Sequence, residues 1–304
     1  MPNLPTIFQQ LFQKFLFPVV RIIVLAYIGL AIVLYFGQSN LVYMPSKDLI
    51  ETPESIGLKF EDIQLKTKDN VNLSAWFVPA KANDSIGKGV ILFCHGNGGN
   101  IGNRVSYLPI FRGLGLSTFL FDYRGYGKSE GSPSELGTYN DVESAWQYLT
   151  QVRKISPKKI IIYGESLGGA IASYIAQTTT AQTTSQQDVQ GVAGGLILAS
   201  TFTSIADRAS ELYPFLPIHL LSRFSYNSRD RLPNIKVPVL IIHSTEDEII
   251  PFHHGDRNFK AANEPKKLIK LRGDHNSGFL DSLETYRTGI SEFMQSLPTK
   301  EIGI

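Results

Sequence analysis

Between residues 90 and 271 the chain repeats one pattern six times: a short run of β-branched and other apolar residues, then a longer amphipathic stretch. The runs are residues 90–94, 118–121, 160–163, 196–199, 239–243 and 267–271. Strands that short and that apolar suit a sheet covered on both faces, and the stretches between them have the spacing of helices that would cover it. The alternation predicts a mostly parallel sheet with helices on both sides. Helices are expected over residues 102–113, 138–152, 169–177, 252–262 and 278–295. Two earlier runs, 60–66 and 71–78, are parted by Asp69-Asn70 and read as a hairpin, which brings the sheet to eight strands. The polar, Thr/Gln-rich stretch 178–190 reads as a solvated surface loop.

A chain of 304 residues can bury a substantial core, and one α/β domain of about 250 residues with an appendage is an ordinary outcome. The expected division is an anchor over residues 1–40, a polar, proline-punctuated linker over 41–57, and the α/β domain over 58–298. Hydrophobic content of 43% and charged content of 18% indicate a folded protein. A net charge of +2, with no basic stripe, gives no reason to expect a nucleic-acid partner. The single cysteine, Cys94, cannot form an internal disulfide, and it is expected to pack in the third strand. With no C-x-x-C pair and no H-E-x-x-H helix, neither a metal nor a cofactor is expected.

From Ile22 to Phe36 the chain carries fifteen uncharged, nearly all apolar residues, and the run extends back to Leu16 if Arg21 is tolerated. As a helix, residues 16–37 would span about 33 Å, close to the hydrocarbon thickness of a bilayer. Arg21 lies near one end, where its stem can carry the charge to the headgroups. The reading is a retained membrane anchor. A cleaved signal peptide, with Gly37-Gln38-Ser39 as a faint cleavage site, and an amphipathic or core helix are the alternatives. Lys14 and Arg21 flank the near end, while Asp48, Glu51 and Glu54 follow with Lys47. That bias favours a cytoplasmic N-terminus, with the folded domain on the other side.

Sheets of this kind carry their reactive side chains in loops at the carboxyl ends of the strands. Gly164-Glu165-Ser166-Leu167-Gly168 falls at such a place, between an expected strand and an expected helix. A sharp strand-to-helix turn holds the serine in a strained conformation, relieved by glycines two residues to either side, and presents its hydroxyl as a candidate nucleophile. In a chain with 26 glycines the pentapeptide recurs by chance, so an ordinary turn is the alternative. A serine needs a base, and the base needs a carboxylate to orient it. Of six histidines, His275 alone lies in a tight loop, Gly273-Asp274-His275-Asn276, after the last strand. His95, His219, His243, His253 and His254 read as core, turn or helix-start residues. The acid would come from Glu246, Asp247 or Glu248, and spacing permits any of them. For the developing oxyanion, the Leu167 N–H can serve as one donor, and the Asn97 N–H in the glycine-rich loop His95-Gly96-Asn97-Gly98-Gly99 as the second. That loop is no phosphate cradle, because no Lys-Ser/Thr follows at the required spacing. In Asp122-Tyr123-Arg124-Gly125-Tyr126-Gly127, Arg124 reads as pairing locally and the glycines as shaping a turn.

Taken in order, these residues resemble the α/β-hydrolase superfamily, and more closely its membrane-anchored, small-cap members. The resemblance rests on the apolar segment, Leu41-Val42-Tyr43 with Pro45, His95-Gly96-Asn97, the Asp122 motif, the Ser166 pentapeptide, Thr201-Phe202, Asp247 and His275-Asn276. It implies the α/β-hydrolase fold, and it singles out Asp247 as the acid, giving Ser166, Asp247 and His275 as a triad. It also implies a small cap over residues 202–231. That stretch is aromatic and leucine-rich, and it reads either as the lining of an acyl pocket facing the bilayer or as a helix packed on the sheet.

Members of this group include carboxylesterases, lipases, thioesterases that depalmitoylate proteins, and serine peptidases. The expectation is therefore a serine hydrolase cleaving an ester or thioester of a small-molecule or lipid-like substrate, held at a membrane. A serine peptidase of the same fold and a non-catalytic membrane-bound binding protein are the alternatives.

Overall fold

The computed structural model describes residues 12–80, 88–181 and 191–298. The first eleven residues of the expected anchor and residues 182–190 of the polar stretch lie outside them.

An isolated pair of two-residue strands, β1 (Met44–Pro45) and β5 (Gly98–Gly99), joins the chain before the domain to the glycine-rich loop. The main sheet contains β2 (Glu61–Lys66), β3 (Asn72–Val78), β4 (Val90–Cys94), β6 (Ser117–Phe121), β7 (Ile160–Glu165), β8 (Gly195–Ala199), β9 (Val239–Ser244) and β10 (Lys266–Leu271). Their order is β10-β9-β8-β7-β4-β6-β3-β2, antiparallel only at the β2–β3 and β3–β6 pairings. The eight strands and the hairpin thus agree with the sequence reading. β4 lies between β6 and β7, so the chain reverses its direction across the sheet beside β4. A crevice at the carboxyl ends of β4 and β7 follows from that reversal.

Alternation along β4 divides the core. Leu92 and Cys94 pack into the layer under one face, Ile91 and Phe93 into the layer under the other, and all four are fully buried. Burial on both sides explains why these strands read as unbroken apolar runs.

The expected helices are present with shifted ends. The helix over Glu135–Gln147 starts earlier than expected because Ser134 caps it, accepting from the Gly137 N–H at 3.1 Å. The helix over Leu167–Ala181 runs into the stretch read as loop. There Thr178 and Thr180 turn their hydroxyls back onto the carbonyls of Tyr174 and Ala176, so polar residues are accommodated inside the helix. The last helix is interrupted at Ser282, giving Gly278–Asp281 and Leu283–Ser296, where the Ser282 hydroxyl accepts from Arg272 N–H.

The apolar segment forms one helix, Phe17–Val42, none of whose residues is buried. An exposed helix of this composition cannot be a core helix, and its 26 residues are enough to cross a membrane. Short helices at Ile205–Leu212 and Ile218–Leu221 lie in the stretch read as a cap.

Candidate active site

Ser166 sits in the turn between β7 and the helix that begins at Leu167, with φ of +54°, the left-handed region that L residues rarely occupy. The Ser166 N–H donates to Ala199 O at 2.9 Å, which ties the turn to the end of β8. Close packing dictates the flanking glycines. A Cβ at Gly164 would come within 2.5 Å of Gly168 O, and one at Gly168 within 2.1 Å of Cys94 O.

The loop after β10 brings His275 to this turn. Its Nε2 lies 3.2 Å from Ser166 Oγ and its Nδ1 lies 2.7 Å from Asp247 Oδ2. Asp247 Oδ1 accepts from the N–H groups of Ile249 and Ile250, at 3.0 and 2.7 Å, so the carboxylate is held by its own turn. Of the three acids open to the sequence reading, Asp247 is the one that meets the imidazole. The other two hold the loop: Glu246 accepts from Gly273 N–H at 3.0 Å and Glu248 from His275 N–H at 3.1 Å. Asp274, for which the sequence suggested no role, accepts from the N–H groups of Asn276 and Ser277, which lowers its pKa and closes the turn around His275.

Because β4 pairs directly with β7, Cys94 opposite Gly164, the loop after β4 comes to rest beside Ser166. Asn97 and Leu167 line the same cavity as Ser166. Leu167 is the first residue of its helix, so its N–H has no partner within the helix. The Asn97 carbonyl is occupied, accepting from Met44 N–H at 3.0 Å and from Tyr126 Oη at 2.9 Å, which fixes the orientation of that peptide.

Sequence reading missed the residues that support this loop. Arg104 donates through Nε and Nη2 to the two oxygens of Glu165, both at 3.1 Å, and through Nη1 to Gly98 O at 2.8 Å. His95 and Asp122 are fully buried behind the loop, Nε2 to Oδ1 3.6 Å. Burial pushes the Asp122 carboxyl up to about 7, and burial with the nearby Arg104 charge holds the His95 imidazole down to about 3. Arg124 does not pair locally. It grips Asp141 on the Glu135–Gln147 helix and Asp69 in the hairpin turn, closing 2.7 Å contacts with each. Gly137 on that helix makes room for it, since a Cβ there would come within 2.5 Å of Arg124 Cδ.

Ser166 lines a cavity of about 560 Å³. Phe202, Ile205, Leu212, Leu216 and Leu221 line it from the cap stretch, while Leu34, Tyr35 and Leu41 line it from the apolar helix. Tyr226, from the same cap stretch, is instead fully buried in the core.

Among the described residues, Glu211, His253 and His254 bring potential metal ligands within 4.8 Å of one another. Hydrogen bonding accounts for the group. His253 Nε2 and His254 Nε2 lie 2.7 and 3.1 Å from the Glu211 carboxylate, and His254 Nδ1 lies 3.2 Å from the Thr203 nitrogen and 2.9 Å from its hydroxyl.

Residues 89–216 match the profile of the family described as alpha/beta hydrolase fold. The uncharacterized protein Rv2307c of Mycobacterium tuberculosis is 35% identical over 261 residues, covering 85% of this chain and 88% of that one. The uncharacterized membrane protein YNL320W of Saccharomyces cerevisiae is 33% identical over 253 residues, covering 80% of this chain and 84% of its own. Among solved structures, the Pyrococcus furiosus esterase PF2001 aligns with a TM-score of 0.64 at 18% identity, covering 84% of this chain and 98% of that one. The sheet order, the turn that carries Ser166 and relatives alignable over most of its length agree: the chain belongs to the alpha/beta hydrolase fold family.

Proposed function

We propose that the protein is a membrane-anchored serine hydrolase that cleaves carboxylic esters or thioesters of apolar acyl groups through an acyl-enzyme. The observation that carries this reading is the hydrogen-bonded line from Asp247 through His275 to Ser166, which lines a mostly apolar cavity. His275 Nε2 takes the Ser166 proton as Oγ attacks the acyl carbonyl, while Asp247 keeps Nδ1 protonated and stabilises the imidazolium. The N–H groups of Leu167 and Asn97 receive the oxyanion. His275 then passes the proton to the departing alkoxide or thiolate, and a water molecule repeats the sequence to release the acid.

The cavity favours an acyl substrate over a peptide. Arg208 and Glu248, the charged residues that line it, are already engaged, Arg208 by Ile249 O and Glu248 by the His275 N–H. Neither is left to anchor a charged peptide terminus.

The N-terminal segment that carries the apolar helix acts as a retained anchor, residues 1–40, followed by the linker 41–57 and the hydrolase domain 58–298 with its cap over 202–231. Retention is supported by Gln38, which lies in the faint cleavage sequence yet lines the cavity and bonds the cap at Leu221 O, 2.8 Å away. Cleavage there would remove a wall of the pocket. The name of the yeast relative, a membrane protein, agrees with this reading. The charge bias puts the N-terminus in the cytoplasm and the domain outside it. Protease added to intact cells or spheroplasts should digest the domain, and digestion only from the cytoplasmic face would reverse the orientation.

Reaction with a fluorophosphonate probe, lost in Ser166→Ala, tests the catalytic reading. A probe that labels wild type and Ser166→Ala equally would end it.

A further inference from the structure

Three contacts bind the cap stretch along the apolar helix. Tyr27 Oη donates to Phe215 O at 2.9 Å, Gln38 Nε2 donates to Leu221 O at 2.8 Å, and Arg223 N–H donates to Gln38 Oε1 at 2.8 Å. Between Tyr27 and Gln38 the helix rises about 16 Å. The stretch from Leu221 back to Phe215 therefore runs alongside the helix, towards its N-terminus, over about half the thickness of a bilayer's hydrocarbon layer. If the helix crosses the membrane, the stretch bonded to it must enter as well.

Its chemistry fits that position. Leu220 is 84% exposed and Phe215 59% exposed, side chains that water would penalise and acyl chains would cover. From Tyr213 to Ser222 no Asp, Glu, Lys or Arg occurs, and His219, an exposed residue, is the one histidine. Backbone groups within a bilayer need partners inside the protein. The N–H groups of Leu216, Ile218, Leu220, Leu221 and Ser222 all donate to carbonyls between Tyr213 and Ile218, Pro214 and Pro217 have none to satisfy, and the Phe215 carbonyl receives Tyr27. Charge returns where the stretch ends. Arg223 lies 5.5 Å from the ring of Tyr35, a cation and a tyrosine at the level expected for headgroups.

We infer that residues 213–221 are a second membrane-embedded element, so that the cavity over Ser166 opens sideways into the acyl layer. The substrate class is then a long-chain acyl ester of a membrane lipid, which reaches Ser166 without its chain crossing water. The placement of the cap stands on the contacts above, whereas the substrate assignment rests on the serine-hydrolase reading.

The full-length protein in phosphatidylcholine vesicles tests both. A Leu220→Cys variant carries one accessible thiol, because Cys94 is fully buried. An environment-sensitive fluorophore on that thiol should be quenched by lipids with a doxyl group on the acyl chain, whereas the same label at Val152→Cys, outside the cap, should not. In a Phe215→Asp/Leu220→Asp variant, turnover of 4-methylumbelliferyl palmitate embedded in the vesicles should fall at least tenfold. Turnover of water-soluble p-nitrophenyl acetate should stay within twofold, since neither residue lines the cavity. An unquenched label at position 220 overturns the membrane placement, and undiminished palmitate turnover in the variant overturns the lateral route. Strong quenching of the label at position 220, together with a wild-type protein that turns over neither ester, overturns the catalytic reading and the substrate class with it, and upholds the placement of the cap.

Discussion

Arg104 and Glu165 form a two-point ion pair, Nε to Oε2 and Nη2 to Oε1 at 3.1 Å each, one residue before Ser166. The third guanidinium nitrogen holds Gly98 O, so one side chain clamps the loop after β4 to the turn after β7. Both partners are largely shielded from water, with side chains 10% and 14% exposed.

Breaking such a pair on one side leaves a carboxylate without its cation. Arg104→Ala should therefore lower unfolding stability by about 3–5 kcal/mol. Replacing both partners, as in Arg104→Met/Glu165→Leu, should restore most of that loss, because the unpaired charge goes too. Urea unfolding of the three proteins checks this. A cost below about 1 kcal/mol for Arg104→Ala would mean that the pair behaves as an exposed one.

The three neighbouring acids make distinct contacts, so their amide variants should separate. Asp247→Asn places an N–H donor where the imidazole needs an acceptor, and kcat on a short ester should fall by about 10³–10⁴-fold. Glu246→Gln and Glu248→Gln keep a carbonyl oxygen for the N–H groups of Gly273 and His275, and each should cost less than about tenfold. Equal losses at all three positions would remove the special role of Asp247.

Tyr226 Oη lies 2.8 Å from Tyr43 Oη and 2.7 Å from Thr138 Oγ1, joining the chain after the apolar helix, the cap and the Glu135–Gln147 helix in one fully buried chain of hydroxyls. Tyr226→Phe strips both neighbours of a partner and should cost about 1–3 kcal/mol. A urea midpoint unchanged from wild type would show that the neighbours find other partners.

How far the sequence could be read depended on whether a feature was local. The inner strands β4, β6, β7, β8 and β9 were legible because each is buried on both faces and so appears as a continuous, mostly apolar run. Ser166 and His275 stood out because each lies in a loop where a strand ends, while position narrowed the acid to one turn and the family resemblance alone singled out Asp247 within it. What chooses Asp247 is contact across 28 residues, His275 Nδ1 to Asp247 Oδ2, and no spacing rule contains it. Longer separations hid more. Glu165 was the unremarked second residue of the pentapeptide, and its partner Arg104 lies 61 residues away. The two-residue strands at Met44 and Gly98 carry no side-chain alternation to detect. The apolar helix reads clearly as membrane-length, yet its contact with the cap, Tyr27 to Phe215 across 188 residues, leaves no trace in either segment.

Asp122 gives a pH signature that can be isolated by substitution. Burial raises its pKa to about 7 in the folded state, against 3.8 for the free side chain. The native protein therefore holds this proton more tightly than the unfolded chain does. That contribution to stability is fully present below about pH 4 and is lost as the pH rises through 7. His95, lowered to about 3 by burial, acts in the opposite sense over part of the same range, so the wild-type profile alone cannot separate them. Asp122→Asn leaves His95 in place, and its carbonyl oxygen can still accept the Ile101 N–H that Oδ1 accepts at 2.9 Å. Its stability relative to wild type should rise between pH 4 and 7 by up to about 1.4 kcal/mol per pH unit, then level off. Urea unfolding of both proteins at pH 4.5, 6, 7 and 8 measures the difference. A flat difference would show that Asp122 is ionised in the folded protein throughout, with its charge met by Arg104 and Lys47.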